Sequence, residues 1–92
     1  MTKEDLLKLA QDNKKLLVKF GAEWCGPCKV VDKILPELPK DISVITIDVE
    51  EEDDLASEMG IRNIPFILYF VDGVEVGKSV GSVTKEEILK NF

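Results

Sequence analysis

The pentapeptide Trp24-Cys25-Gly26-Pro27-Cys28 holds the only two cysteines of the chain and sits where one hydrophobic pattern gives way to another. Before it, Leu16-Leu17-Val18-Lys19-Phe20 is a short, mostly apolar run closed by Gly21, the pattern of a central strand buried on both faces. After it, Val30, Val31, Ile34, Leu35 and Leu38 recur at helical spacing. Pro27 suits a first helical turn, whose N–H groups have no partner within the helix. The two thiols therefore fall at a strand-to-helix junction, and a CxxC in that setting reads first as a redox pair.

The remaining elements follow from local signals. Thr2 and Asp5 form an N-cap with an acidic third position, opening a helix at about residues 3–12 whose apolar stripe is Leu6, Leu7, Leu9 and Ala10. Pro36 kinks or ends the helix after the cysteines, and Pro39 finishes it. Ile42 to Ile47 is a β-branched second strand, and the helix between the two strands makes a parallel crossover the economical topology. The acids Glu50 to Asp54 read as a solvated first helical turn that complements the helix dipole, in preference to a divalent-metal cage. Gly60 suits the C′ position that ends this helix. Ile64 to Val71, Asp72-Gly73 and Val74 to Val80 form a hairpin signature, with Gly77 marking a bulge or a packing relief. Thr84 with Glu87 is a capping box for a last helix presenting Ile88, Leu89 and Phe92.

Composition narrows the function. A formal net charge of −6 lacks the clustered Lys and Arg that nucleic acids and anionic membranes require, so the expected partners are proteins or small molecules. Lys3, Glu4, Asp5 and Lys8 interrupt the first ten residues, unlike a secretory signal. The longest apolar run, Ile64 to Val71, falls far short of the roughly 20 residues of a membrane helix. Two cysteines this close staple nothing, which favours a reducing cytoplasm; the expectation is one soluble domain over residues 1–92, working as a monomer.

The chemistry needs a thiolate, and an unperturbed thiol with pKa near 8.5 is mostly protonated at neutral pH. Placing Cys25 at a helix N-terminus supplies unpaired N–H groups and the positive end of the dipole. Cys28, one turn on, is placed to attack the mixed disulfide and release the product. A zinc site is the competing reading of the pair, but with no histidine and no third cysteine its other ligands would have to be carboxylates or come from a second chain.

With WCGPC after an apolar strand, then Gly60-Ile61-Arg62-Asn63-Ile64-Pro65 and Val80-Gly81, the chain resembles the thioredoxin family along almost its whole length. The resemblance implies an α/β thioredoxin-like fold in minimal form, lacking the usual first strand. The expected order is αβαβαββα: a four-stranded mixed sheet in strand order 2-1-3-4, flanked by four helices, with the strand at 42–47 left as an edge. It implies a protein-disulfide reductase using no bound cofactor, with Cys25 as nucleophile, Cys28 as resolving thiol and a Cys25–Cys28 redox disulfide. It further implies a cis Pro65 facing the dithiol and pairing of the Ile64 backbone with an extended substrate. Trp24, Gly26, Pro27, Ile64, Val80 and Gly81 become the docking surface, for disulfide-containing protein substrates and for a thioredoxin-reductase-like electron donor.

Four residues depart from the family pattern. Lys19 stands where a buried aspartate is usual, and Val44 where its partner lysine is usual. An ammonium there would favour thiolates, or else the side chain snorkels to solvent and touches nothing. Without the aspartate, proton transfer at Cys28 would fall to water or Glu23. Phe66 and Gly21, in place of a threonine and an aromatic, lie near the expected active surface and could alter substrate preference. Two rival functions fit the same fold: a glutaredoxin-like protein served by glutathione, and a redox-inactive partner-binding module.

Overall fold

Every residue from Leu16 to Gly21 is buried in the computed structural model, which describes residues 1–92. This burial on both faces follows from the position of β1 (Lys15–Gly21) inside the sheet. On one side β1 pairs in parallel with β2 (Ile42–Asp48), Lys15 opposite Ile42 and Gly21 opposite Asp48. On the other it pairs antiparallel with β3 (Phe66–Val71), which carries β4 (Val74–Val80) on its far edge. The order is β2-β1-β3-β4, with α1 (Lys3–Asp12), α2 (Gly26–Ile34), α3 (Asp53–Glu58) and α4 (Lys85–Leu89) completing the αβαβαββα sequence. The expected architecture is present, with β2 as an edge.

Side-chain alternation along the strands sorts the core into two layers. Leu16, Val18, Phe20, Leu68 and Phe70 face α1 and α3, meeting Leu6, Ala10 and Leu55. Leu17, Ile67 and Tyr69 face α2 and α4, meeting Val31, Leu35 and Ile88. Lys19 and Gly21 share the parity of Leu17, so strand geometry directs both toward the α2 side.

Most local signals produce the elements they name. Thr2 and Asp5 make a reciprocal capping box, as do Thr84 and Glu87. Gly60 adopts φ +71° and closes α3 through Gly60 N–H to Ser57 and Ile61 N–H to Ala56, the Schellman pattern. Asp72 and Gly73 take φ +51° and +82° in the hairpin turn, as a type I′ turn requires. Gly77 sits opposite Tyr69 at a β-bulge and against the Asn91 side chain.

The boundaries shift where backbone chemistry overrides the pattern. β3 starts at Phe66, not Ile64, since Pro65 has no N–H to give the ladder. α2 ends at Ile34 and passes into a 3₁₀ turn, Leu35–Glu37, around Pro36. Of the acids at 50–54, Asp53 and Asp54 form the first turn of α3, whereas Glu50 and Glu51 lie in the turn before it. Leu7 and Val30 continue the apolar stripes yet remain exposed, because each helix buries a narrower face than its stripe spans.

Two stability outcomes follow. Thr84→Ala removes a cap worth about 1 kcal/mol, to be read as a lower denaturant midpoint at unchanged slope. Tyr69 is enclosed, with its hydroxyl 3.0 Å from Ser79 Oγ, and burial raises its pKa above the ordinary value. The folded state therefore keeps the phenol neutral where the unfolded chain ionises it. This contribution is intact below about pH 10 and is lost as pH rises toward the folded-state value. Wild type should exceed Tyr69→Phe by about 1 kcal/mol near neutrality, with the gap closing above about pH 10. Parallel stability curves for the two proteins would contradict this.

Candidate active site

β1 ends at Gly21, and the chain turns through Ala22 and Glu23 into α2, the turn held by the Cys25 N–H donating to the Ala22 carbonyl at 3.2 Å. Cys25 is the N-cap of α2, in extended conformation, and its Sγ accepts the backbone N–H of Cys28 at 3.2 Å. A sulfur thus occupies the place that Ser, Thr or Asp takes in an ordinary cap. In the thiolate form the same N–H and the helix dipole would stabilise negative charge on it. Cys25 and Cys28 are joined as a disulfide, with Cys28 fully enclosed and Cys25 5% exposed.

Around the disulfide the chain gathers segments far apart in sequence. Ile64 and Val49 pack on the cluster of Ala22, Cys25 and Cys28. The Ile64–Pro65 peptide bond is cis, and the Gly81 N–H donates to the Pro65 carbonyl at 2.8 Å. Val80 lies opposite Phe66 where the β3–β4 ladder ends, and Gly81 turns away at φ +88°. Gly26, Pro27 and Val80 are exposed, while Ile64 and Gly81 are half-buried. Trp24 is 69% exposed, and its indole N–H donates to Glu50 Oε1 at 3.0 Å.

The snorkelling arrangement expected as one alternative for Lys19 does not occur. Lys19 is 5% exposed, and its Nζ lies 2.5 Å from Asp32 Oδ1 on α2. The stem is too deeply placed to reach bulk water, and a buried ammonium requires a partner, which Asp32 supplies. Phe66 also departs from expectation in its direction: its ring packs edge-on against Phe20, at 6.3 Å between centroids, in the layer facing α1 and α3. Gly21 does border the dithiol. A Cβ on it would fall 3.1 Å from Cys28 Sγ and 2.9 Å from Lys19 Nζ.

Two members of this neighbourhood were not legible beforehand. Asp32 carries no local mark, because its role depends on a strand residue reached across the sheet–helix interface. Glu50 stood within an acidic run that the helix dipole already explained, and only the fold places it against Trp24. Val44 and Glu23 line an open cavity of about 660 Å³ with Lys19, Gly21 and Asp32.

The Thioredoxin family model matches residues 2–92. A thioredoxin of Mycoplasmoides gallisepticum is 38% identical over 89 residues, covering 94% of this chain and 89% of the relative. Among solved structures, a single-substitution mutant thioredoxin from Halobacterium salinarum NRC-1 superposes with a TM-score of 0.86 at 33% identity, covering 98% of this chain and 81% of that one. The thioredoxin of Trichomonas vaginalis reaches the same TM-score at 29% identity, covering 99% and 89%. Sequence and fold agree along the whole chain: it belongs to the thioredoxin family and is a thiol-disulfide oxidoreductase acting through a CXXC motif.

Proposed function

We propose that the protein works in the reducing direction, opening disulfides in other proteins. The observation that carries this reading is the asymmetry of the pair: Cys25 caps α2 with an N–H on its sulfur and keeps 5% of its surface open to solvent, and Cys28 lies fully enclosed one turn behind it. The Cys25 thiolate attacks a substrate disulfide, forming a mixed disulfide and releasing one substrate thiolate, which takes a proton from solvent. Cys28 then gives up its proton and attacks Cys25 Sγ. The mixed disulfide breaks, the Cys25–Cys28 bond forms, and the second substrate thiolate leaves and is protonated. Two electrons pass from the protein to the substrate, and no bound cofactor takes part.

Trp24, Gly26, Pro27, Ile64, Val80 and Gly81 form the docking surface in this reading. Their gathering around the disulfide and the exposure of Trp24 support it. Ile64 lies ahead of the β3 ladder, outside the sheet pairing, which suits pairing with an extended substrate segment. Pro65, buried beneath and holding Gly81, positions that segment against the sulfurs. The family implies disulfide-containing protein substrates and a reductase donor in general. Within that, a thioredoxin-reductase-like flavoprotein is the proposed source of electrons, the cytoplasm the proposed setting and the monomer the proposed form. No helix is long and apolar enough to cross a membrane.

Cys25→Ser should abolish reduction of a disulfide-bonded test protein, and Cys28→Ser should accumulate a covalent mixed disulfide through Cys25. Full biological activity retained by Cys25→Ser would instead identify a binding module. Recycling of the oxidised protein should be fast with a flavin-dependent thioredoxin reductase and slow with glutathione. The reverse preference would favour a glutaredoxin-like role.

A further inference from the structure

The resolving step demands negative charge on the one cysteine that solvent does not reach. Cys28 is fully enclosed, and burial without a compensating charge keeps a thiol protonated. The charged groups beside it line the cavity next to Gly21, the residue that borders Cys28 Sγ. Glu23 lies in the turn before α2, Asp48 at the end of β2 and Glu51 just beyond it, and all three are acids that oppose a thiolate. Lys29 on α2 has the helpful sign, but it is exposed, as are Glu23 and Glu51, so solvent screens them. Lys19 alone is a buried charge. Its Nζ and Cys28 Sγ lie 2.9 Å and 3.1 Å from the same empty point above Gly21, which puts them at most about 6 Å apart, within the range where an opposite charge shifts a thiol.

We infer that the Lys19 ammonium, tethered by Asp32, is the counter-charge for the Cys28 thiolate in the resolving step, and that Gly21 keeps the space through which they interact. This rests on the reductase reading and adds to it a positioning residue acting on the second sulfur. Lys19 and Asp32 undergo no net change. The proton of Cys28 leaves to solvent past Gly21, which borders both Cys28 Sγ and the cavity, the thiolate displaces the substrate from Cys25, and the departing thiolate recovers a proton from solvent. Asp32 has two opposed effects. It makes the buried ammonium tolerable, and its own negative charge offsets part of the field at Cys28, so the expected net effect sits at the low end, about tenfold in thiolate equilibrium. A thiolate exists only in the reduced protein. Lys19 therefore stabilises the reduced form and makes the couple less reducing than the same dithiol without it.

The test is the titration of Cys28 alone, in a Cys25→Ser background, followed by thiolate ultraviolet absorbance. Lys19→Met should raise the Cys28 pKa by about one unit, a tenfold loss of thiolate below both values, while Asp32→Asn should lower it. With both cysteines present and at a pH above both Cys28 pKa values, the Lys19→Met disulfide should be about tenfold harder to reduce against glutathione, about 30 mV more negative. Lys19→Gln, one atom shorter but polar and uncharged, should reproduce these shifts if Lys19→Met fails to fold. An unmoved Cys28 pKa in a folded Lys19 variant overturns the inference, as does a shift of equal sign in Asp32→Asn. Neither result touches the reductase reading, which stands or falls on turnover by the Cys25 and Cys28 variants.

Discussion

A single hydrogen bond, from the Cys28 N–H to Cys25 Sγ at 3.2 Å, ties the chemistry of this protein to its fold. It exists because α2 begins at the cysteine itself, so the sulfur serves as the helix cap and shares in the dipole. That start is in turn imposed by β1, whose last residue Gly21 hands the chain to a short turn closed by Cys25 on Ala22. The sheet is needed to place this terminus beside Ile64 and, through the Gly81–Pro65 hydrogen bond, beside the end of β4. Each pKa unit by which such a terminus favours the thiolate corresponds to about 1.4 kcal/mol, a substantial part of what a small domain has to spare.

A buried charge is the second organising constraint. Lys19 interrupts the apolar run from Leu16 to Phe20 within β1, and its ammonium is matched by Asp32 rather than by solvent. A half-buried pair of this kind, with the Asp32 side chain 37% exposed, contributes little net stability. Its place beside the dithiol fits the role inferred for it in the electrostatics of Cys28 better than a role in folding. Removing only one partner would leave the other uncompensated. The pair is therefore best regarded as a unit: α2 carries the cap, the enclosed Cys28 and the carboxylate, while β1 carries the ammonium and the glycine that makes room for it.

What could be read before the structure was local. The capping boxes at Thr2 and Thr84, the Asp72-Gly73 turn and the Gly60 stop all act within a few residues, and each produced its element. β1 was legible as central because its apolar run leaves no polar face. The sites that escaped depend on contacts between distant segments. Nothing near Asp32 announces Lys19, thirteen residues earlier, and nothing in the run of acids singles out Glu50 for Trp24. Phe66 illustrates the same limit at one residue: two positions earlier Ile64 packs on the disulfide cluster, yet the Phe66 ring lies in the layer facing α1 and α3, against Phe20. Leu7 and Val30 show that a helical stripe marks the direction of the core more faithfully than its width.

Dithiol exchange by this route requires the two sulfurs to differ: Cys25 activated and within reach, Cys28 enclosed. The most direct measurement is limited alkylation of the fully reduced, folded protein at neutral pH with substoichiometric iodoacetamide, followed by peptide mapping. Label should fall on Cys25 alone, with Cys28 becoming reactive only on unfolding. Modification of Cys28 at an equal or greater rate would contradict the assignment of nucleophile and resolving thiol, and with it the role given to the α2 terminus.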